Sequence, residues 1–144
     1  MTTQDATTIA ERLLDETQLE MFGGDKALYI TRFHLPLTLE TSFGARYFET
    51  EAQLCDIHDA LSAHFRMIGA TDRVRRVVAA EFQSEGIIHS THESRVIQQG
   101  VLLMEPYVAF SVLRRGPDAW QVADCSYAVS DGDAHGAVLA GRGG

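Results

Sequence analysis

The stretch GIIHSTHESRVI, residues 86–97, decides what kind of fold this chain has. Successive side chains of a β-strand point to opposite sides, so the stretch divides into two faces. One face carries Ile88, Ser90, His92, Ser94 and Val96. The other carries Ile87, His89, Thr91, Glu93, Arg95 and Ile97. Because both faces mix aliphatic and polar side chains, the pattern favours a sheet that wraps a partly polar cavity over one that closes a dry core.

Four β-runs of this kind fill the second half of the chain. They are residues 72–83, 86–99, 101–115 and 119–129, and short segments rich in turn-forming residues separate them. Turns this short join antiparallel neighbours, because a parallel connection needs a dozen residues or more. The second half therefore predicts an antiparallel meander.

The first third of the chain is helical in pattern. Over residues 8–22, Ile9, Leu13, Thr17 and Met21 repeat at helical spacing, between flanks that carry acidic residues. The pair Gly23-Gly24 ends this first helix, because glycine readily adopts the conformation of a helix C-cap. A second, shorter helix is expected from Asp25 to about Phe33.

A small hairpin and a third helix follow. Pro36 cannot continue a helix, and residues 37–42 alternate as a strand that Gly44 turns into a short return strand at residues 46–48. The segment Thr50–Gln53 matches a capping box, the usual start of a helix. The apolar stripe of the third helix consists of Leu54, Ile57, Leu61, Phe65 and Ile68, and Gly69 ends it.

Composition limits the partners and the compartment. The 144 residues suit one domain, which we expect over residues 1–129, with a glycine-rich tail over residues 130–144. A net charge of −8 argues against a nucleic-acid partner, so we interpret the arginines at 73, 75, 76, 114 and 115 as a solvated sheet face. No run is long enough to span a bilayer and the first residues do not resemble a signal peptide. We therefore predict a cytoplasmic protein without a membrane partner, with Cys55 and Cys125 reduced.

Three segments together resemble a known family. They are LPLTLETSFG at residues 35–44, HESR at residues 92–95 and LRRGPDAWQVADCSYAV at residues 113–129. Their order and spacing resemble the SnoaL-like branch of the nuclear-transport-factor-two-like superfamily over residues 8–129. The resemblance implies an α+β cone, in which three N-terminal helices pack on a curved, mainly antiparallel sheet around a cavity. The superfamily includes isomerases, cyclases, dehydratases and hydrolases of small apolar molecules, and also proteins that only bind or dimerise, so fold alone does not fix the chemistry.

Three residues are candidates for acid–base catalysis. Glu40 lies where the resembling isomerases carry a general-base carboxylate, although Thr41 aligns equally well and Glu40 could simply face solvent. His92 can exchange a proton near neutral pH, or can be a hydrogen-bonded histidine at the edge of the core. Asp124 shares a predicted strand face with Trp120 and could be a catalytic acid or a buried partner of an arginine.

Tyr107, Phe110 and Trp120 are the predicted ligand-binding residues of the cavity, because a small-molecule site combines apolar walls with a few polar groups. We expect no cofactor and no metal. His89 and His92 lie three residues apart on one strand and point to opposite sides, and the DxDxH sequence at residues 131–135 lies in the tail without an EF-hand continuation.

Three functions remain open. The first is metal-free acid–base chemistry of the isomerase, cyclase or dehydratase type on a small apolar molecule, and the second is binding of such a molecule without catalysis. The third is a dimerisation module whose cavity holds no ligand. Several strands carry apolar residues on both faces, for example Val77 and Val78, so a homodimer through the outer sheet face is expected in any of them. The number of titratable groups that face one cavity should distinguish the first two.

Overall fold

A computed structural model of the chain describes residues 5–41 and 44–127. The helices are α1 (Ala6–Gly23), α2 (Lys26–Tyr29) and α3 (Glu51–Ile68), with a 3₁₀ turn at Ile30–Arg32. The strands are β1 (Phe33–Thr41), β2 (Gly44–Phe48), β3 (Asp72–Ser84), β4 (Ile87–Gln98), β5 (Val101–Leu102), β6 (Tyr107–Arg115) and β7 (Trp120–Tyr127). The predicted tail, with its DxDxH sequence, lies outside the described residues.

The strands form one open, curved sheet in the order β2-β1-β7-β6-β4-β3, with β5 paired to β4. All described pairs are antiparallel except β1 with β7, which run parallel. The prediction of three helices on a curved, mainly antiparallel sheet is confirmed. The meander β3-β4-β6-β7 is the part that the short turns of the sequence predict.

Three predicted elements differ in extent from those observed. The run over residues 101–115 is divided into β5 and β6, because the chain leaves the sheet before Pro106, which has no amide proton to donate to a neighbouring strand. The second helix is only Lys26–Tyr29, and the 3₁₀ turn leads directly into β1 at Phe33. The first strand therefore begins before Pro36 and is longer than predicted.

The two long helices have defined ends. Asp5 caps α1 by accepting a hydrogen bond from the Thr8 amide at 2.7 Å. The capping box of α3 is formed by the side chains of Thr50 and Gln53. Gly69 ends α3 with a φ of 76°, a left-handed conformation that strains any residue with a Cβ. None of the helices among residues 5–41 and 44–127 is long and apolar enough to cross a membrane.

The two long helices cover the inner face of the sheet and form two hydrophobic clusters with it. The larger cluster lies under α3 and includes Leu37, Phe48, Leu54, Leu61 and Val96. The smaller one lies under the start of α1 and includes Ile9, Leu13, Ile88 and Leu113. The predicted apolar stripes of α1 and α3 therefore supply most of the helical residues that are buried.

An ion pair fixes α1 to the segment that precedes β1. Arg32 binds Glu20 through two nitrogens, with Nη2 donating to Oε2 at 2.6 Å and Nε to Oε1 at 3.0 Å. A second carboxylate, that of Glu16, lies 2.8 Å from Arg32 Nη1. Glu20 is buried, and its pairing with a guanidinium removes the cost of burying an isolated carboxylate.

Candidate functional site

The inner face of the sheet carries the alternation that the sequence predicts for β4. Ile88, Ser90, His92, Ser94 and Val96 are all buried, whereas the residues between them are half-buried or exposed. On the neighbouring strand β6, the buried residues are Tyr107, Ala109, Ser111 and Leu113. The two central strands therefore present serine and histidine to the helices, among apolar neighbours.

A cavity lies between these inner faces and the helices α1 and α3. Its free volume, measured as the space open to the centre of a water-sized sphere, is about 50 Å³. The cavity therefore suits a small molecule or a few waters. Its apolar walls include Leu13, Leu37, Leu39, Phe48, Ile57 and Leu61. Its polar groups include Arg73, Arg75, Ser90, His92, Ser111 and Tyr127.

His92 is an ionisable residue that is buried in the wall of this cavity. Its side chain is 3% exposed, and its Nε2 has no hydrogen-bond partner among the described residues. Burial, reinforced by the nearby charges of Arg75 and Arg73, lowers the pKa of His92 to about 3. The ring is therefore neutral at physiological pH, and each of its nitrogens either donates or accepts a hydrogen bond.

Two arginines on β3 form the cationic side of the cavity. The Nη2 of Arg75 donates to the Leu14 carbonyl at 2.6 Å and to Thr17 Oγ1 at 2.7 Å. Its Nε is buried and has no partner among the described residues, and burial followed by the charge of Arg73 lowers the pKa of Arg75 to about 9. Arg75 is therefore still a cation at neutral pH.

Arg73 is buried and held from two sides. Its guanidinium carbon lies 5.5 Å from the centroid of the Phe65 ring, and its Nε donates to Gln18 Oε1 at 3.3 Å. This position differs from the expectation that the arginines of β3 lie on a solvated face. Arg73 and Arg75 share the inner face, because they lie opposite Val96 and Ser94 of β4.

The other titratable groups of the cavity are unionised near neutral pH. Burial raises the pKa of Cys125 to about 12. Burial also raises the pKa of Tyr127 well above its usual value, and raises that of Tyr29. These groups can donate or accept hydrogen bonds but are poorly suited to proton transfer at pH 7.

The structure does not bring Glu40 or Asp124 to the cavity. Glu40 is exposed on β1, directly after Leu39, whose side chain lines the cavity. Asp124 is also exposed, and it lies opposite Val112 on the outer face. Partial burial, followed by the charge of Glu40, raises the pKa of Asp124.

A β-bulge places Asp124 on the outer face. Val112 pairs with Asp124 and Leu113 pairs with Val122, so Ala123 is an extra residue in β7. Strict alternation would put Asp124 on the same side as Val122, and the extra residue reverses that relation. Val122 and Cys125 consequently both line the cavity, while Asp124 between them does not.

The predicted ligand-binding residues also separate. Tyr107 is buried in the larger hydrophobic cluster but is not among the residues that line the cavity. Phe110 is 40% exposed on the outer face, where its ring contacts that of His89. Trp120 is the first residue of β7, and its ring lies 6.0 Å from that of Phe82. Of the six predicted site residues, only His92 lines the cavity, and its function stays a prediction.

Sequence reasoning missed Arg73 and Arg75 as cavity residues. Their spacing of two along a strand was a usable signal, because it places both side chains on one face. Within residues 5–41 and 44–127, no three histidine, cysteine or acidic side chains come close enough to hold a metal ion. His89 and His92 lie on opposite faces of β4, as predicted.

Several bacterial proteins of similar fold have solved structures. An NTF-2-like protein of unknown function from Shewanella oneidensis matches with a TM-score of 0.66 and 11% identity, over 85% of this chain and 98% of that chain. A ketosteroid isomerase-like protein from Erwinia carotovora atroseptica matches with a TM-score of 0.61 and 12% identity, over 85% and 94%. An NTF2-like protein with a cystatin-like fold from Novosphingobium aromaticivorans matches with a TM-score of 0.65 and 14% identity, over 92% and 86%. No protein-family model and no curated protein sequence matches the chain. At these identities the likeness shows the fold, which is nuclear-transport-factor-two-like, as the sequence resemblance implies.

Proposed function

We propose, from the nuclear-transport-factor-two-like fold of this chain, that it binds a small, largely apolar molecule in the cavity between the sheet and its helices. The observation that carries the proposal is His92, a fully buried ring whose Nε2 faces no partner among the described residues. An unpaired polar atom inside a protein costs about 1–3 kcal/mol, and a ligand or an ordered water recovers that cost. Since His92 also lines the cavity, a ligand there can satisfy it.

The walls of the cavity support an apolar body for this molecule. Aliphatic and aromatic side chains from β1, β2, α1 and α3 surround the space, including Leu39, Phe48 and Ile57. Ligand sites of this kind are mostly apolar, with a few polar groups that fix orientation. The small free volume favours a compact molecule, or one whose entry displaces a side chain such as Leu61.

The same geometry favours binding over acid–base catalysis. General acid–base catalysis at neutral pH is most efficient with a group whose pKa lies near 7. The pKa of His92 is lowered to about 3, that of Cys125 is raised to about 12, and the carboxylates of Glu40 and Asp124 do not line the cavity. A carrier or sensor of a small molecule therefore agrees better with the cavity than an isomerase or dehydratase.

A screen by protein-observed NMR tests this proposal. Small neutral and charged compounds are added to the full chain, to a cavity-filling variant, Ser111→Phe, and to a control, Val112→Phe. Ser111 lines the cavity and Val112 is its neighbour on the outer face of β6, so the two variants add the same ring to opposite sides. We expect compounds that shift resonances of the wild type and of Val112→Phe but not of Ser111→Phe. Compounds that bind all three proteins equally, or no binding by any compound, would contradict a ligand cavity.

We also propose that the outer face of the sheet forms a homodimer. Four large apolar side chains are 40–59% exposed there, namely Val74, Val78, Val108 and Phe110. Large apolar side chains exposed on one sheet face often mark a protein–protein interface, and here the Glu93–Arg95 ion pair of β4 lies between the two strands that carry them. A dimer built through this face leaves the cavity on the opposite side of each sheet, so ligand binding and dimerisation do not compete for a surface.

A further inference from the structure

Three buried polar atoms without a hydrogen-bond partner among the described residues lie together on the inner face of β3 and β4. They are Arg75 Nε, His92 Nε2 and Ser94 Oγ. Arg75 is directly opposite Ser94 in the antiparallel register, and Val77, two residues further along β3, is opposite His92. Diagonal neighbours on one face are separated by about 7–8 Å. Arg75 and His92 both line the cavity, so one ligand there can contact both side chains, whereas Ser94 is not among the lining residues. We name the two cavity-lining members, Arg75 and His92, the polar cluster.

The positive charge of the polar cluster has no counter-ion in the described part of the chain. Arg32 shows the contrast, because it binds the carboxylates of both Glu16 and Glu20. Arg75 instead donates to a carbonyl and a hydroxyl, neither of which carries charge. A buried cation without an opposite charge is costly, and a bound anion removes that cost.

Two acidic side chains border a groove that is separate from the cavity. Asp15 and Asp72 line a separate groove between α1 and the start of β3, which Arg73 and Arg75 also border. Asp72 accepts hydrogen bonds there from the Arg73 amide and from Gln18. Neither carboxylate forms an ion pair with Arg73 or Arg75, so the cavity side of the two arginines remains uncompensated.

We propose that the molecule bound in the cavity is a small organic acid whose carboxylate is held by the polar cluster. This inference rests on the proposed function, because it identifies the charged end of the ligand. Arg75 Nε–H donates to one carboxylate oxygen, and His92 donates from Nε2 in its neutral form to the other. The apolar body of the acid lies against the opposite wall, at Leu37 and Leu39. One charged end and one apolar end match the two sides of the cavity.

Paired probes test this inference on the full chain by isothermal titration calorimetry at neutral pH. The probes are benzoate with benzamide, and isovalerate with isovaleramide, which keep the apolar body and change only the charge. We expect Kd values about tenfold or more lower for the carboxylates, because hydrogen bonds to an ionised group are roughly twice as strong as neutral ones. Equal Kd values would overturn the inference and leave the proposed function standing. Binding of neither member of both pairs would also overturn it, while the wider screen decides the proposed function separately.

Variants of adjacent arginines provide the matched control. Arg75→Met removes the charge and Nε, and Arg76→Met removes an exposed guanidinium from the opposite face of the same strand. We expect Arg75→Met to bind carboxylate and amide with equal Kd and Arg76→Met to keep the wild-type preference. If Arg75→Met does not fold, Arg75→Lys keeps the charge without Nε, and it should retain a reduced preference. An unchanged preference in Arg75→Met or Arg75→Lys would refute a role for Arg75.

A measurement on the wild type needs no variant. The other titratable groups that line the cavity are Tyr29, Arg73, Arg75, Cys125 and Tyr127. A carboxylate among them favours the protonated ring of His92, so benzoate should raise the pH at which its ¹⁵N ring resonances titrate, and benzamide should not. A titration that benzoate leaves unchanged would contradict contact between the carboxylate and His92.

Discussion

Replacing His92 with glutamine should make the folded protein less sensitive to mild acid. The pKa of the buried ring is lowered from 6.5 to about 3, chiefly by burial, while the unfolded chain keeps the ordinary value. Below pH 6.5 the unfolded state therefore binds a proton that the folded state does not, and the stability of the folded state falls as the pH falls toward 3. Each pH unit within that window is worth about 1.4 kcal/mol, so roughly 2 kcal/mol of stability is lost by about pH 5 through this one group.

Urea unfolding near neutral pH and near pH 5 measures this effect. The free energy of unfolding of the wild type should fall by about 2 kcal/mol more than that of His92→Gln between the two conditions. Each protein is compared with itself at the two pH values, so any pH-independent change in stability caused by the glutamine cancels. His89→Gln is the matched control, because it removes a histidine from the outer face of the same strand, where the ring is half-buried and accessible to water. Equal pH dependence of the wild type and His92→Gln would refute the assignment of a neutral, desolvated ring to His92.

Two further predictions concern the helix ends and the outer face. Gly69→Ala should lower the free energy of unfolding by about 1–2 kcal/mol, since a Cβ is strained at a φ of 76° and would lie 2.9 Å from Gln98 Nε2. Gly23→Ala is the control, because Gly23 is helical and no atom lies within 4 Å of the added carbon. Its free energy of unfolding in the same urea assay should be unchanged or higher. Similar losses of stability at both glycines would contradict the role of the C-cap conformation. We expect a homodimer at micromolar concentration by light scattering, and Phe110→Asp should convert it to a monomer because a carboxylate would be buried in the proposed interface. A monomeric wild type would contradict the proposed interface.

The sequence predicts the helices and the meander because regular periodicity dominates those segments. Ile9 and Leu13 on α1, and Leu54 and Leu61 on α3, are buried as their spacing requires. The position of His92 on the inner face follows from the same rule, since β4 alternates without interruption through that part of the strand. The fold and the inward position of His92 can therefore be predicted from the pattern of the sequence.

The positions of the other site residues cannot all be predicted from the pattern of the sequence. The position of Asp124 depends on a bulge, and an extra residue leaves no mark in the composition of a strand. Arg75 is unexpected because arginine usually lies at the surface, and only the register with β4 shows that it faces inward. For Glu40 the alternation with the buried Leu37 and Leu39 was the better guide, and it indicates the outer face.

The bulge at Ala123 has a consequence for how this chain should be aligned with others. In a strand without a bulge, the residue two positions after Val122 faces the same side as Val122, whereas here that residue is Asp124 on the outer face. An ungapped alignment of β7 with a regular strand would therefore match inward positions with outward ones on one side of Ala123. Another irregularity, in β3 between Val77 and Ala79, has the same effect at Val78. Alignment gaps belong at Ala123 and Val78, and functional residues carried over from other sequences without them would fall on the wrong face of the sheet.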